Sequence, residues 1–515
     1  MAAVTTRTGK AVRNAGSAAV GQILSTLFAF GTRTVFIYTL GATYLGVNSL
    51  FTNVLAILSF AELGVGTAMT YALYAPLATD DEDQIAALMG AYAKAYRVIG
   101  LTVAVAGLAI APFLGVLMKG RPAIPHLLTL YLIFLSNSVL SYFVSYSRSL
   151  LIASQNVHLD VLNRTGFALL QALLQVGALL TTHSFLLFLV LQAACQVASN
   201  LSITWRANRM FPGVLFRRGT RLDAGVRHSL VKNVKGMVYS KLGSAAVSAS
   251  TSLFISAFVG VVSVGLYSNY LLITGMVNVV VAQGIAAVAP GLGSLAVTGS
   301  RKESATAFGR LFFLNFVLVG AATAFLAVLL NPFITLWVGS QYVLSWPVTA
   351  LIVVNFFLYG IRQTAVTFIN ACGLFWPVRY KSLVEAVVSV LLSLLLLDVV
   401  HLGIAGALLS VTLSTLATNV WWEPFVVLTR VVGTGMGRYL RTLLGYAATT
   451  VAATALAVGL NAGMGLHGVV ALVVGTVTTA GVVGVVVAAV YRRSPHLAYT
   501  RQLLATHLTP RVRVS

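Results

Sequence analysis

Six charged side chains stand where the sequence is otherwise apolar: Arg33, Glu62, Arg148, Arg362, Glu385 and Glu423. At the centre of a bilayer an ionised group costs about 2.5–3.5 kcal/mol on insertion scales, so such residues face a wet cavity or a partner. The chemistry open to them follows from type. A guanidinium presents planar, forked donors that suit a phosphate bidentately. A carboxylate with no cation beside it can take up a proton or a small cation. Arg33, Arg148 and Arg362 are therefore the candidate ligands for an anionic group, and Glu62 and Glu385 the candidates for ion coupling. Arg379 and Glu423 are gate or rim candidates. Other readings stand beside these. Arg148 and Arg362 could snorkel to headgroups. Arg33 and Glu62 could clamp two helices. Glu385 and Glu423 could form rim salt bridges with Arg379 or Arg362.

The elements that must carry these residues are membrane helices. Of 515 residues 58% are hydrophobic and 9% charged, and mean hydropathy is +0.92. Soluble domains carry about 25% charged residues, so the solvent for most of this surface is lipid. Apolar runs of about 17–25 residues each read as spans, and fourteen are expected between residues 16 and 491. The first runs from near Ser17 to Leu40, too long for a signal-peptide core and long enough to span. Cys195 and Cys372 lie in separate apolar stretches and support neither a disulfide nor a metal site. No cofactor is expected.

Charge placement sets the topology. Arg33 and Arg362 lie within spans and Lys119 and Arg121 on the far side, so 29 of the 33 Lys and Arg residues share one face. By the positive-inside rule that face, with both termini, is cytoplasmic. The net charge of +22 then faces anionic phospholipids and needs no nucleic-acid partner. One long basic loop divides the chain. The expected organisation is an N-terminal lobe of six helices over 1–204, a basic cytoplasmic linker over 205–235, a C-terminal lobe of six over 236–430, and two further helices with a basic tail over 431–515.

The lobes read as an internal repeat. Gly46 opens span two in TYLGVNSLFTNVL, and Gly265 opens span eight in VSVGLYSNYLLIT. The shift that carries position 46 onto 265 also brings the acidic turn at Asp80–Asp83 over the segment around Ser300–Glu303. Each lobe holds an even number of spans, so the repeat is parallel, about a pseudo-two-fold normal to the membrane. A cavity between lobes is its expected substrate site. The fold class is thus all-α and polytopic. No GxxxxGK[ST], HExxH or clustered Cys/His occurs, and no large outer loop could house a catalytic site.

Two stretches resemble a known family. RTVFIYTLGATYLGVNSLFTNVLAILSFAELGVGTAMTYALYAPLATDDEDQIAALMGAYAKAYRVIG (33–100) and GIRQTAVTFINACGLFWPVRYKSLVEAVVSV (360–390), with GIAGALLSVTLSTLATNVWWEPFVVL (403–428), resemble the polysaccharide or oligosaccharide flippases of the multidrug/oligosaccharidyl-lipid/polysaccharide exporter superfamily. The branch is one common in Gram-positive bacteria. The resemblance implies a bacterial plasma-membrane transporter, not an enzyme. It implies movement of an undecaprenyl-pyrophosphate-linked glycan from inner to outer leaflet by alternating access, driven by a proton or sodium ion, alongside polysaccharide assembly machinery. Arg33, Arg362 and Glu385 fall within the matching stretches, and Arg148 is placed by the repeat alone. The chain departs from the family pattern at Asn370 and Val378, where relatives often carry acids, which leaves Arg379 without an expected partner. The alternatives are a drug/cation antiporter, a lipid-linked peptidoglycan precursor flippase and a membrane-embedded glycan polymerase.

Overall fold

A hydrocarbon interior offers no partner to backbone N–H and C=O groups, so a chain this apolar must satisfy them within helices. The computed structural model follows that requirement. It describes residues 2–498 except 63–65, 67–68, 70–71, 74–75, 78, 116–117, 119–123, 145, 155, 216–249, 287–299, 373 and 375. Among the described residues twelve helices are long and apolar enough to cross a membrane, and the chain is a multi-pass membrane protein. It forms two compact units, Met1–Gly265 and Leu266–Ser515.

The first unit opens with α1, Ala2–Leu58, and a 3₁₀ turn, Ser59–Glu62. α1 is interrupted at Gly41 (φ 80°, ψ −174°), a conformation open essentially to glycine alone. Two helices meet there, where the sequence divides spans one and two. Then come α2 (Glu82–Ile110), α3 (Leu127–Val144), α4 (Ser147–Ala153), α5 (Val157–Thr182) and α6 (Phe185–Met210). α1 packs on α5, α5 on α6, and α3 on both α2 and α6. Of the expected seventh span, only the apolar helix Ser250–Val259 is described. It ends at Gly260 (φ 137°), where α7, Val261–Ala286, begins. Most of the expected linker, with Lys119, Arg121 and the last residues of the tail, lies outside the described residues.

In the second unit α8 (Arg301–Val338) is the longest unbroken helix. α9 (Trp346–Ile361), α10 (Gln363–Ala371), α11 (Lys381–Leu394), α12 (Gly403–Ala417) and α13 (Asn419–Val427) follow. A π turn, Leu428–Val432, leads to α14 (Met436–Met464) and α15 (Gly468–Tyr491). The last two pack on each other and on α8. Ala324, Ala453, Val483 and Val487 meet in their shared core, because small residues let membrane helices approach closely.

The repeat is visible in backbone detail. The shift that carries Gly46 onto Gly265 also carries Gly41 onto Gly260, and both are helix breaks. It carries Asp81 onto Ser300 as well, the N-caps of α2 and α8. Within the first unit the crossing is reciprocal. A Cβ on Gly46 would fall on the Val261 carbonyl oxygen, and a Cβ on Gly265 would lie 2.6 Å from the Ala42 carbonyl oxygen. Position 42 carries over to 261 and 46 to 265 under the same shift.

Candidate functional site

Three polar clusters occupy the apolar helices. The first surrounds Glu62, at the end of the 3₁₀ turn. Tyr92 and Tyr96 are four residues apart and so share one face of α2. Tyr96 Oη donates to Glu62 Oε1 at 2.5 Å. Tyr92 Oη donates to Tyr96 Oη at 3.3 Å and lies 2.9 Å from Ser149 Oγ on α4. Tyr142, on α3, reaches the same carboxylate, and its ring is edge-on to Tyr96 at 5.9 Å. The tyrosines are buried while Glu62 is half-buried. Among the described residues Glu62 is met by hydroxyls and by no cation. Hydroxyls are neutral donors, so among the described residues the hydrogen bonds to this carboxylate bring no counter-charge.

The second cluster is built on Arg148, in the first turn of α4, just past the break that ends α3. Nη1 donates to Asp160 Oδ1 at 2.5 Å, Nη2 to Ser199 Oγ and Asn200 Oδ1 at 2.9 Å each, and Nε to Asn200 Oδ1 at 3.3 Å. Asp160 takes a second cation, Arg164 Nε, at 2.9 Å. Asn163 closes the ring with two bonds to Ser199. Arg148 is 7% and Asp160 4% exposed. The guanidinium is turned inward onto α5 and α6, neither snorkelling nor displayed. Asp160 stands in the first turn of α5.

The third cluster is in the second unit. Arg362 sits at the joint between α9 and α10, where Asn315 of α8 donates to the carbonyls of Gly360 and Ile361. It grips Glu423 of α13 with two parallel bonds, Nε to Oε2 at 2.9 Å and Nη2 to Oε1 at 2.7 Å. Lys381 Nζ donates to the same Glu423 Oε1 at 2.6 Å. One carboxylate thus serves two cations. One turn along α11 from Lys381, Glu385 is 4% exposed and accepts from Thr415 at 3.2 Å and from Asn419. Those donors are neutral. The Asn419 Oδ1 beside it is buried without a hydrogen bond. Arg379 finds an aromatic partner instead of an acid. Its guanidinium lies 3.9 Å over Trp376 and 4.5 Å over Tyr380, and Nη1 donates to the Trp376 carbonyl at 2.9 Å.

Arg33 lies on a different element from the residues of these three clusters. It is half-buried on α1, one turn before Phe36, which packs edge-on against Phe185 and Phe188 of α6. The tyrosine shell of Glu62 and the roles of Asp160 and Lys381 were not anticipated. The i,i+4 pairs Tyr92/Tyr96, Asp160/Arg164 and Lys381/Glu385 were their only local signal. Among the described residues no group of three or more His, Cys, Asp or Glu could hold a metal ion.

Solved structures with the same fold are transporters. A lipid II flippase, MurJ, in an inward closed conformation, superposes with a TM-score of 0.64 at 12% identity, covering 92% of this chain and 98% of its own. An inward-facing multidrug resistance MATE family transporter of the MOP superfamily gives 0.61 at 14% identity, covering 78% and 94%. A MOP superfamily transporter from Pyrococcus furiosus, described as having a binding pocket of reversed polarity, gives 0.56 at 14%, covering 81% and 96%. No family model and no curated protein matches the sequence.

Proposed function

We propose that the chain is a flippase for a polyprenyl-pyrophosphate-linked oligosaccharide, a polysaccharide repeat unit, carried from the inner to the outer leaflet of a bacterial plasma membrane by alternating access. The observation that carries this reading is the extent of the fold match. The match to the lipid II flippase covers 92% of this chain. What it leaves out is too short to hold both α14 and α15, of 29 and 24 residues. At least part of the terminal pair therefore has a counterpart in the lipid II flippase. In this reading Arg33 and Arg362 meet the pyrophosphate, and Arg362 exchanges Glu423, already shared with Lys381, for the substrate's charge. Arg148 holds the first unit in shape. Glu62 and Glu385, which accept their hydrogen bonds from neutral donors, with Arg362 and Lys381 acting on Glu385 only electrostatically, are the sites through which a proton or sodium gradient drives the cycle. Both termini lie in the cytoplasm.

The same coverage favours a second reading, a flippase for the lipid-linked peptidoglycan precursor, with the same pyrophosphate chemistry. Deletion of the gene separates the readings. Loss of surface polysaccharide with intracellular build-up of its lipid-linked repeat supports the first. Loss of precursor export followed by lysis supports the second. Drug sensitivity with both glycans intact makes the protein an antiporter and overturns the proposal.

A further inference from the structure

A cavity of about 320 Å³ opens in the second unit, where the first turns of α8, the π turn after α13, the start of α14 and the turn 495–498 after α15 come together. Its rim is polar and basic: Lys302 and Thr306 from α8, Arg438 and Thr442 from α14. Its floor is aromatic, with Phe312 and Tyr439 stacked at 5.2 Å and 25°. His496 forms one wall, stacked on Phe313 at 6.1 Å and seated in a notch at Gly309, where a Cβ would lie 3.1 Å from its ring. Among the described residues no acid lines the space. Glu303, next to Lys302 in sequence, is committed to its own helix end, accepting from Ser300 N at 2.7 Å in a capping box, and Glu423, close enough to act electrostatically on Tyr439 of the floor, is paired with Arg362 and Lys381. The volume is many times what one water requires. All four elements end here, so the cavity lies at headgroup depth, amid the exposed Arg301, Arg430, Arg441, Arg492 and Arg493.

Two cations, three threonine hydroxyls and, among the described residues, no lining carboxylate above an aromatic floor are complementary to a phosphate carried on an apolar body. We propose that this cavity binds the phosphate group of an anionic phospholipid headgroup, between Lys302 and Arg438, at a site separate from the three clusters above. Neither the flippase reading nor its substrate is needed for it.

The test titrates the purified full-length protein in detergent with dioctanoyl phosphatidylglycerol, and with dioctanoyl phosphatidylcholine as the uncharged comparison. K302Q/R438Q removes the two lining cations. R430Q/R441Q removes two exposed cations that do not line the cavity. The expected result is phosphatidylglycerol binding about tenfold tighter than phosphatidylcholine, weakened about tenfold or more by K302Q/R438Q and less than threefold by R430Q/R441Q, since each charged hydrogen bond is worth about a factor of ten. All three proteins should melt at the same temperature, because the exchanged side chains are exposed. Competition by millimolar inorganic phosphate with the same variant dependence would assign the phosphate site to a soluble anion. Its failure to compete assigns it to lipid. Equal weakening by both double variants, or no preference for phosphatidylglycerol, would mean diffuse surface attraction and overturn the site.

Discussion

At the scale of single residues, the charged groups divide by what answers them. Arg148 and Asp160 answer each other inside one unit, so removing Arg148 leaves the buried Asp160 with only the half-exposed Arg164. Arg148→Ala should cost about 3–5 kcal/mol, the usual penalty for breaking a buried pair, read as a large fall in melting temperature in detergent. R148M/D160L should recover most of that loss, because no buried charge is left uncompensated and Arg164, which loses its partner, is exposed to solvent or headgroups. A single variant as stable as the parent would show that the network contributes nothing. Glu62 is a different case. Glu62→Gln keeps an oxygen for the Tyr96 hydroxyl and removes the titrating group, so the fold should persist while transport stops responding to a proton gradient. Retained gradient dependence would exclude Glu62 from coupling. The presence of these charges was legible in the sequence because charge amid apolar residues is costly. Their partners were not. Asn200 follows Arg148 by 52 positions and Glu423 follows Arg362 by 61, and only the fold brings such distant residues together. Asp160 was hidden because the polar run before it reads as a loop, although α5 has already begun.

At the scale of elements, glycine decides where helices break and cross. Gly41 holds a backbone conformation that side chains disfavour by about 1–3 kcal/mol, so Gly41→Ala should lower the melting temperature without touching any polar cluster. Gly46→Ala should cost more, since its new methyl would collide with the Val261 backbone and not with a side chain that can turn away. A melting temperature unchanged by either substitution would show that the crossing is not close-packed. The turn carrying His496 supplies a pH-dependent counterpart. Burial, followed by the Arg310 guanidinium, holds this imidazole below its usual range, and Lys302 and Arg438 line the same cavity. Its folded value is the lower one, so the docked turn has its full stability above the unfolded value of about 6.5. That stability falls away as pH drops toward the depressed value. Amide protection of residues 494–498 should decline between pH 7 and pH 5, and His496→Gln should flatten the decline. Protection that rises on acidification would contradict the assignment. The short turns themselves were foreseeable from the long apolar runs, whereas the breaks between α3 and α4 and between α9 and α10 were not, because neither break has a proline at the joint.

At the scale of the whole chain, an internal repeat organises the molecule. It was legible in two glycines, Gly46 and Gly265, and the structure adds two helix breaks and two N-caps at the same interval. The composition fixed the solvent as lipid, and the polytopic helical architecture follows from that alone. Substrate is a property of neither repeat nor composition, and the claim that this is a glycolipid flippase rests on chemistry that transport must reveal. The direct measurement uses purified protein in proteoliposomes carrying a fluorescent polyprenyl-pyrophosphate oligosaccharide in both leaflets, with an impermeant quencher added outside under an imposed proton gradient. The account predicts that the signal is quenched well beyond the outer-leaflet fraction, that E62Q removes the effect of the gradient, and that ethidium is not moved. Quenching that stops at the outer leaflet, with ethidium carried in its place, would contradict it.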